Sequence, residues 1–269
     1  MKSINKRIVL LSSLVVILLL GSRFLPSEIL NDNIKIGVSD DTSGLIVDYI
    51  IKNKEFDGTK IMEEFDTYSI KDCWSAAAQW ALSSEVLDLA MICPDAAKKF
   101  IEGDSRFEVL GACVKNSDVF ILNKHDIPKK IGVTRNKNYQ KQMVIDTFDK
   151  TCEIIPMAAS ALPYALERGD VEGIITDLVK GIEISNGRII RKANNEYITY
   201  VFVVRKEFKK RREFKEFIKK YNEAVNDFKD KGQLLTKLDE YINLNKKGGK
   251  VQWQKWKQIL KFVTIKEWN

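Results

Sequence analysis

The chain has 269 residues, with 44 lysines and arginines against 37 aspartates and glutamates, a net charge of +7, a single histidine and four cysteines. The charge excess is mild and spread along the chain, without the interleaving of basic and aromatic residues that marks a nucleic-acid surface; it reads as solvated helix faces, suited if anything to an anionic membrane surface. The lone His125, in a turn before a strand, removes a Ser/His/Asp triad and any histidine metal cluster from consideration.

Lys2, Lys6 and Arg7 precede an apolar run over residues 8–21, and the chain turns polar at Ser22 and Arg23. A basic segment followed by a short apolar one is the pattern of a secretory signal, and the run is shorter than the roughly 20 residues a spanning helix needs. Gly21 and Ser22 are the only small residues at the cleavage position, so an uncleaved membrane anchor is the alternative. No cysteine follows the run, which excludes a lipoprotein anchor. Residues 1–26 are thus expected to be a signal peptide or anchor, with the working part extracytoplasmic. What remains is long enough for two small lobes.

Ile34–Val38 reads as a strand, the polar residues 39–44 as the turn ending it, and residues 45–51 as a helix. A second strand is expected near residues 60–65, a helix over 74–82, and a continuous apolar strand over 86–92. Strand, helix and strand at this spacing imply right-handed βαβ units and a parallel sheet. The pattern restarts after Pro128: a strand over 130–133, a turn at Thr134-Arg135-Asn136, a helix over 139–148, a strand over 152–156, a helix over 159–168 and a strand over 172–177.

Extended apolar segments at 119–122 and 197–204 flank this second half, which implies two crossings between lobes. The expected division is a first lobe over 34–122, a second over 123–200, and a return strand with C-terminal helices over 201–269 packing on the first. Phe214, Phe217, Tyr221, Val225 and Phe228 recur at helical spacing, as do Trp253, Trp256, Leu260 and Val263, and are expected to face the core.

The stretch from Ala76-Ala77-Ala78-Gln79-Trp80 through Asp88-Leu89-Ala90, its counterpart from Ala165-Leu166-Glu167-Arg168-Gly169 to Gly173-Ile174, and the strand opening Ile131-Gly132-Val133 together resemble type II periplasmic binding proteins of ABC transporters. The resemblance is nearest the branch that binds nitrate, sulfonates and thiamine precursors. A further likeness is to clostridial binding proteins associated with selenocysteine-containing systems. It implies an α/β fold of two lobes joined by two crossing hinge strands, a monomer that closes over a small ligand, and a permease partner in the membrane. No cofactor and no nucleic acid are expected. Its ligand residues sit in loops after strands and at helix N-termini, and α/β architecture alone puts ligands at the carboxyl ends of the strands. Here those places are Asp41, Thr42 and Ser43; Cys73, Trp74 and Ser75; Cys93 and Asp95; Thr134, Arg135 and Asn136; Met157; and Asp177 with Thr176 before it. Arg135 is the expected partner of an anionic group, because its fork pairs bidentately with carboxylate, sulfonate or phosphate.

Cys73 and Cys93 fall on the same rim of the first lobe. Two thiolates there suit a soft metal ion or a thiophilic compound, with Met157 as a thioether from the other lobe. A disulfide between them, or plain packing of all four cysteines, are the alternatives. The function expected is solute capture for an importer, the ligand a thiophilic metal or organometal or a small organic anion. A membrane-anchored ligand sensor, or an enzyme on the same scaffold using Cys73 and nearby carboxylates, are the competing readings.

Overall fold

The computed structural model describes residues 33–52, 65–71, 73–74, 81, 83, 86–123, 127–148, 150–184, 189–242 and 259–266. The apolar run at 8–21, Ser75, His125, Trp253, Trp256 and most of the expected helix over 74–82 lie outside them. Among the described residues no helix is long and apolar enough to cross a membrane.

Short runs rich in β-branched and other apolar residues form the strands, and β3, buried on both faces, is apolar throughout, as a covered strand of a parallel sheet requires. Strand β1 (Ile34–Val38) leads into helix α1 (Thr42–Lys52), and β2 (Phe65–Ser69) pairs parallel with β1. Strand β3 (Leu89–Ile92), wholly buried, pairs with β1 on its other side. Helix α2 (Pro94–Gly103) and strand β4 (Phe107–Lys115) follow. The second half repeats the plan with β5 (Asp118–Leu122), β6 (Lys130–Thr134), α3 (Asn138–Phe148), β7 (Glu153–Met157), α4 (Leu162–Arg168), β8 (Gly173–Asp177), α5 (Leu178–Ile184) and β9 (Ile189–Arg191). Strand β10 (Ile198–Arg205) then leads to α6 (Lys206–Lys209), α7 (Arg212–Asp227), α8 (Lys231–Ile242) and the short β11 (Lys261–Phe262).

Two sheets result, ordered β11-β4-β10-β3-β1-β2 and β7-β6-β8-β5-β9. Each holds a parallel trio, β3-β1-β2 and β8-β6-β7, bordered by one antiparallel strand, β10 or β5. The architectural echo between the halves of the sequence is this shared trio.

Some expectations differ from the structure. Strand β2 begins at Phe65, where the expected strand ends. Residues Thr42–Gly44 form the first turn of α1 and are not loop. Cys93 leads at once into α2, with Pro94 in its first turn, where a missing N–H costs nothing. Asp118–Leu122, counted with the first lobe, hydrogen-bonds to β8 and β9 in the second sheet, and residues 198–200, counted with the second lobe, belong to β10 in the first. Residues 261–262 are strand, not helix: they pair with β4, and Val263 N–H donates to the Cys113 carbonyl, satisfying an edge that would otherwise expose its backbone groups.

The stripe on α7 packs as its spacing implies. Phe214, Phe217, Ile218, Tyr221, Ala224 and Val225 are buried, and the Phe202 ring of β10 meets Tyr221 edge-on at 4.8 Å. The Tyr221 hydroxyl donates to the backbone carbonyls of Cys113 and Val263, at 2.9 and 3.0 Å. A buried phenol needs such a partner.

The chain crosses between sheets twice, at residues 116–117 and 192–197, and the crossings are tied to each other. Asn116 N–H donates to the Tyr197 carbonyl at 2.9 Å, and Tyr197 N–H to Asn116 Oδ1 at 2.8 Å. Asn116 takes the left-handed conformation (φ 60°) that asparagine tolerates better than most residues. The fully buried Ser117 hydroxyl of the first crossing meets the Thr199 hydroxyl, at the start of β10 just past the second, at 2.8 Å. Thr199→Val should leave Ser117 without that partner and lower stability by about 1 kcal/mol, read as a fall in the denaturant midpoint at unchanged slope.

Candidate functional site

The parallel strands of both sheets end toward the same place. The residues just past β1, β2, β6 and β8, together with Tyr200 on β10, line a cavity of about 500 Å³ between the two lobes. Ser39, Asp40, Asp41, Lys71 and Cys73 come from the first lobe, and Thr134, Lys137, Gln140, Ser160, Asp177 and Lys180 from the second. Ile70, Met91, Ile92, Leu162 and Ile184 supply apolar wall.

The helix α1 N-terminus sets one side. Asp41 accepts from the Ser43 N–H and hydroxyl through Oδ1, at 2.9 and 2.7 Å, and from the Tyr200 hydroxyl through Oδ2 at 2.6 Å. This is a capping carboxylate: it takes N–H groups of the first turn that have no partner within the helix. Asp177 reaches the same turn from the other lobe. Its Oδ1 accepts from Thr42 N–H (3.0 Å), the Thr42 hydroxyl (2.8 Å) and Val179 N–H (2.9 Å), so one oxygen caps both α1 and α5. Asp177 Oδ2 is buried without a hydrogen-bond partner among the described residues. Burial, followed by the nearby charges of Asp41 and Asp118, pushes the Asp177 carboxyl up to about 8.

The opposite side is built by the turn after β6. Asn136 is left-handed (φ 69°), and the Lys137 N–H closes the turn onto the Thr134 carbonyl at 3.2 Å. That turn brings Lys137 inward, its ammonium 5.7 Å from the Tyr139 ring centre and 3.9 Å from Asp118 Oδ2. The same Asp118 oxygen accepts from Tyr139 Oη at 2.8 Å and Gln140 Nε2 at 2.6 Å, while Oδ1 is buried without a hydrogen-bond partner among the described residues. Burial alone would lower the Lys137 ammonium, but Asp118, Tyr139, Cys93 and Cys73 outweigh it and hold it well above the usual lysine range. Burial and Asp118 likewise raise the Tyr139 phenol. Lys137 is therefore a fixed positive charge at neutral pH.

Cys73 and Cys93 meet beside this lysine, Sγ to Sγ 2.9 Å, both reduced. The hydrogen bond with Cys73, and then burial, raise the Cys93 thiol well above its usual range. The lobes touch around the cavity through Thr42–Asp177, an Asp40–Lys180 ion pair, and Asp95, which accepts from Asn138 Nδ2 (3.4 Å) and Tyr139 N–H (3.3 Å).

No protein-family model and no curated protein matches the sequence. Solved structures do match. The ligand-binding component of an ABC-type import system from Staphylococcus aureus, with zinc bound, superposes with a TM-score of 0.66 at 14% identity, over 87% of this chain and 86% of that one. The alkanesulfonate-binding protein SsuA from Xanthomonas axonopodis pv. citri, bound to MOPS, gives 0.63 at 10% identity, over 88% and 87%. A nutrient-binding protein from Burkholderia cenocepacia bound to methionine gives 0.52 at 16%, over 73% and 95%. The fold is that of the two-lobed periplasmic binding proteins.

In this binding-protein fold the residues singled out from sequence are only partly gathered. Asp41, Cys73, Thr134 and Asp177, with Thr176, line the interlobe cavity. Thr42 and Ser43 lie just behind the wall, spent on the Asp177 and Asp41 carboxylates. Cys93 is buried behind Cys73, and Asp95 bridges the lobes outside the cavity lining. Trp74 packs into the apolar cluster around Ile92 and Phe100. Ser75 lies outside the described residues.

Two expectations need correction. Arg135 is exposed and absent from the cavity lining: its N–H continues the ladder to the Met157 carbonyl at 2.7 Å, and its side chain leaves on the solvent side of the turn. Met157 packs its methyl on Gly132 in the second lobe and is not among the residues that line the interlobe cavity. Sequence reading missed Lys137, Gln140, Lys180 and Tyr200. Asn136 marks a turn in the sequence, since asparagine tolerates φ above zero, but it does not show which neighbour points in. Tyr200 carries no such signal. Among the described residues no three His, Cys, Asp or Glu side chains are grouped to hold a metal ion.

Proposed function

We propose that this chain is the extracytoplasmic solute-binding component of an ABC-type importer, capturing a small ligand between its lobes and delivering it to a membrane permease. The cavity carries this reading: about 500 Å³, walled by both lobes at the carboxyl ends of the parallel strands of both sheets and rimmed by direct cross-lobe contacts. Clefts of this kind at strand ends are where α/β proteins hold ligands. A ligand that touches both walls selects the closed arrangement, and the two tied crossings are the place for the hinge.

The protein is read as a monomer that is held outside the cytoplasm by, or exported through, its N-terminal segment. The chemistry of the walls suits two ligand types. Lys137 supplies the fixed cation for a small organic anion, in place of Arg135. Cys73, backed by Cys93, supplies a thiol for a thiophilic metal or organometal.

A thermal-shift screen of the reduced protein with small sulfonates, carboxylates, pyrimidines and soft metal or organometal ions tests this directly. Saturation at about 100 times Kd adds about 2.7 kcal/mol, a rise of about 5–10 °C. A shift from soft metals that Cys73→Ser removes assigns the thiol type, and a shift from organic anions that Lys137→Met removes assigns the anion type. No shift with any probe, or turnover of a bound compound, would overturn the proposal.

A further inference from the structure

The four cysteines are not equivalent. Cys113 is fully buried in β4, and Cys152 is buried just before β7, both as free thiols. Cys73 and Cys93 face each other at 2.9 Å. Cys93 stands at the end of β3 and is the N-cap residue of α2, and its side chain makes no capping bond. Cys73 sits in the turn after β2, half-buried, on the cavity wall. Two strands of one parallel sheet thus bring the sulfurs together, with one exposed to the cavity and the other shielded behind it.

We propose that Cys73 and Cys93 form a reversible dithiol–disulfide couple in the wall of the cavity, with Cys73 as the entering sulfur and Cys93 as the resolving one. The division follows from access: of the two, Cys73 lines the cavity, while Cys93 is fully buried. Cys93, hydrogen-bonded to Cys73, keeps its proton until the second step.

An external disulfide such as oxidised glutathione supplies the oxidant. The Cys73 thiolate attacks one of its sulfurs, the S–S bond breaks, and one glutathione leaves as thiolate. Cys93 gives its proton to solvent and attacks the Cys73 sulfur of the mixed disulfide, expelling the second glutathione. Two protein thiols are oxidised by two electrons and one disulfide is reduced to two thiols. The reduced state offers a thiol to the cavity, and the oxidised state withdraws it. This inference goes beyond the importer reading and does not depend on it.

The test is a redox titration of the purified full chain in mixtures of reduced and oxidised glutathione. Thiols are counted after denaturation, and peptides are mapped without reduction. The expected result is loss of two of the four thiols, a mass fall of about 2 Da, a crosslinked peptide pair holding residues 73 and 93, and full reversal by excess reduced glutathione. Cys93→Ser, or Cys93→Ala if the serine variant does not fold, should stop at a glutathione adduct on Cys73. Cys73→Ser should leave Cys93 unmodified. A crosslink to Cys113 or Cys152, a persistent glutathione adduct on the unmodified chain, or four intact thiols in fully oxidised glutathione would overturn the proposal. The ligand screen has no bearing on these outcomes, so the two proposals fail separately.

Discussion

Gly44→Ala is expected to be among the most damaging single-methyl changes in the protein. Gly44 lies in the first turn of α1, and a Cβ there would sit 1.8 Å from the Ser39 carbonyl oxygen and 2.5 Å from the Tyr241 hydroxyl. The first obstacle is backbone, so no rotamer change relieves it. Helix α1 has to move away from the β1 turn, and it carries the Thr42 and Ser43 groups that hold Asp177 and Asp41. Overpacking of this kind costs about 3 kcal/mol, a fall of about 6–12 °C in melting temperature. Because the same turn shapes the cavity, any ligand found by thermal shift should also lose affinity. Gly103→Ala is the control: it ends α2 with nothing within 4 Å of the added carbon. That variant should be neutral or slightly stabilised. Equal melting temperatures for the two variants would refute the close approach of α1 to its turn.

Stability should fall as pH rises from about 4 to 8, and Asp177→Asn should abolish much of that fall. The folded protein holds the Asp177 carboxyl up to about 8, first through burial and then through the Asp41 and Asp118 charges. An unfolded aspartate titrates near 3.9. Between those values the folded state binds the extra proton, so stability has a negative slope against pH. The contribution is fully present below pH 4 and lost as pH rises through 8, on the order of a few kcal/mol. Asparagine does not titrate, and its Oδ1 keeps the bonds from Thr42 and Val179. Urea unfolding at pH 5 and pH 8.5 should show the variant gaining on the parent at the higher pH. A parallel pair of pH profiles would mean that Asp177 is ionised throughout.

How much of this was legible beforehand follows from what each signal depends on. Strands such as Lys130–Thr134 and helices such as α7 are local matters: β-branched runs and apolar residues at helical spacing declare themselves, and the βαβ grammar then implies parallel trios and a site at their carboxyl ends. Asp41, Cys73, Thr134 and Asp177 were expected at the strand ends on that basis, since each ends a strand or lies between a strand and the helix after it. The sense of a side chain within a turn is not local in the same way. One left-handed residue, Asn136, sends Arg135 out and Lys137 in, and among four consecutive polar residues composition does not distinguish them. Edge pairing is also invisible to periodicity, so β11 read as helix although a strand edge on β4 was there to be filled.

The sequence by itself determined the fold class, two α/β halves with a double crossing, because hydrophobic period and chain order are properties of the chain alone. Only the tertiary structure decided that Asp177 caps a helix of the opposite lobe, that Lys137 puts a fixed cation in the cavity, and that two cysteines twenty positions apart stand sulfur to sulfur. Each of those depends on the distance between elements remote in sequence, and that distance is set by how the packed layers meet.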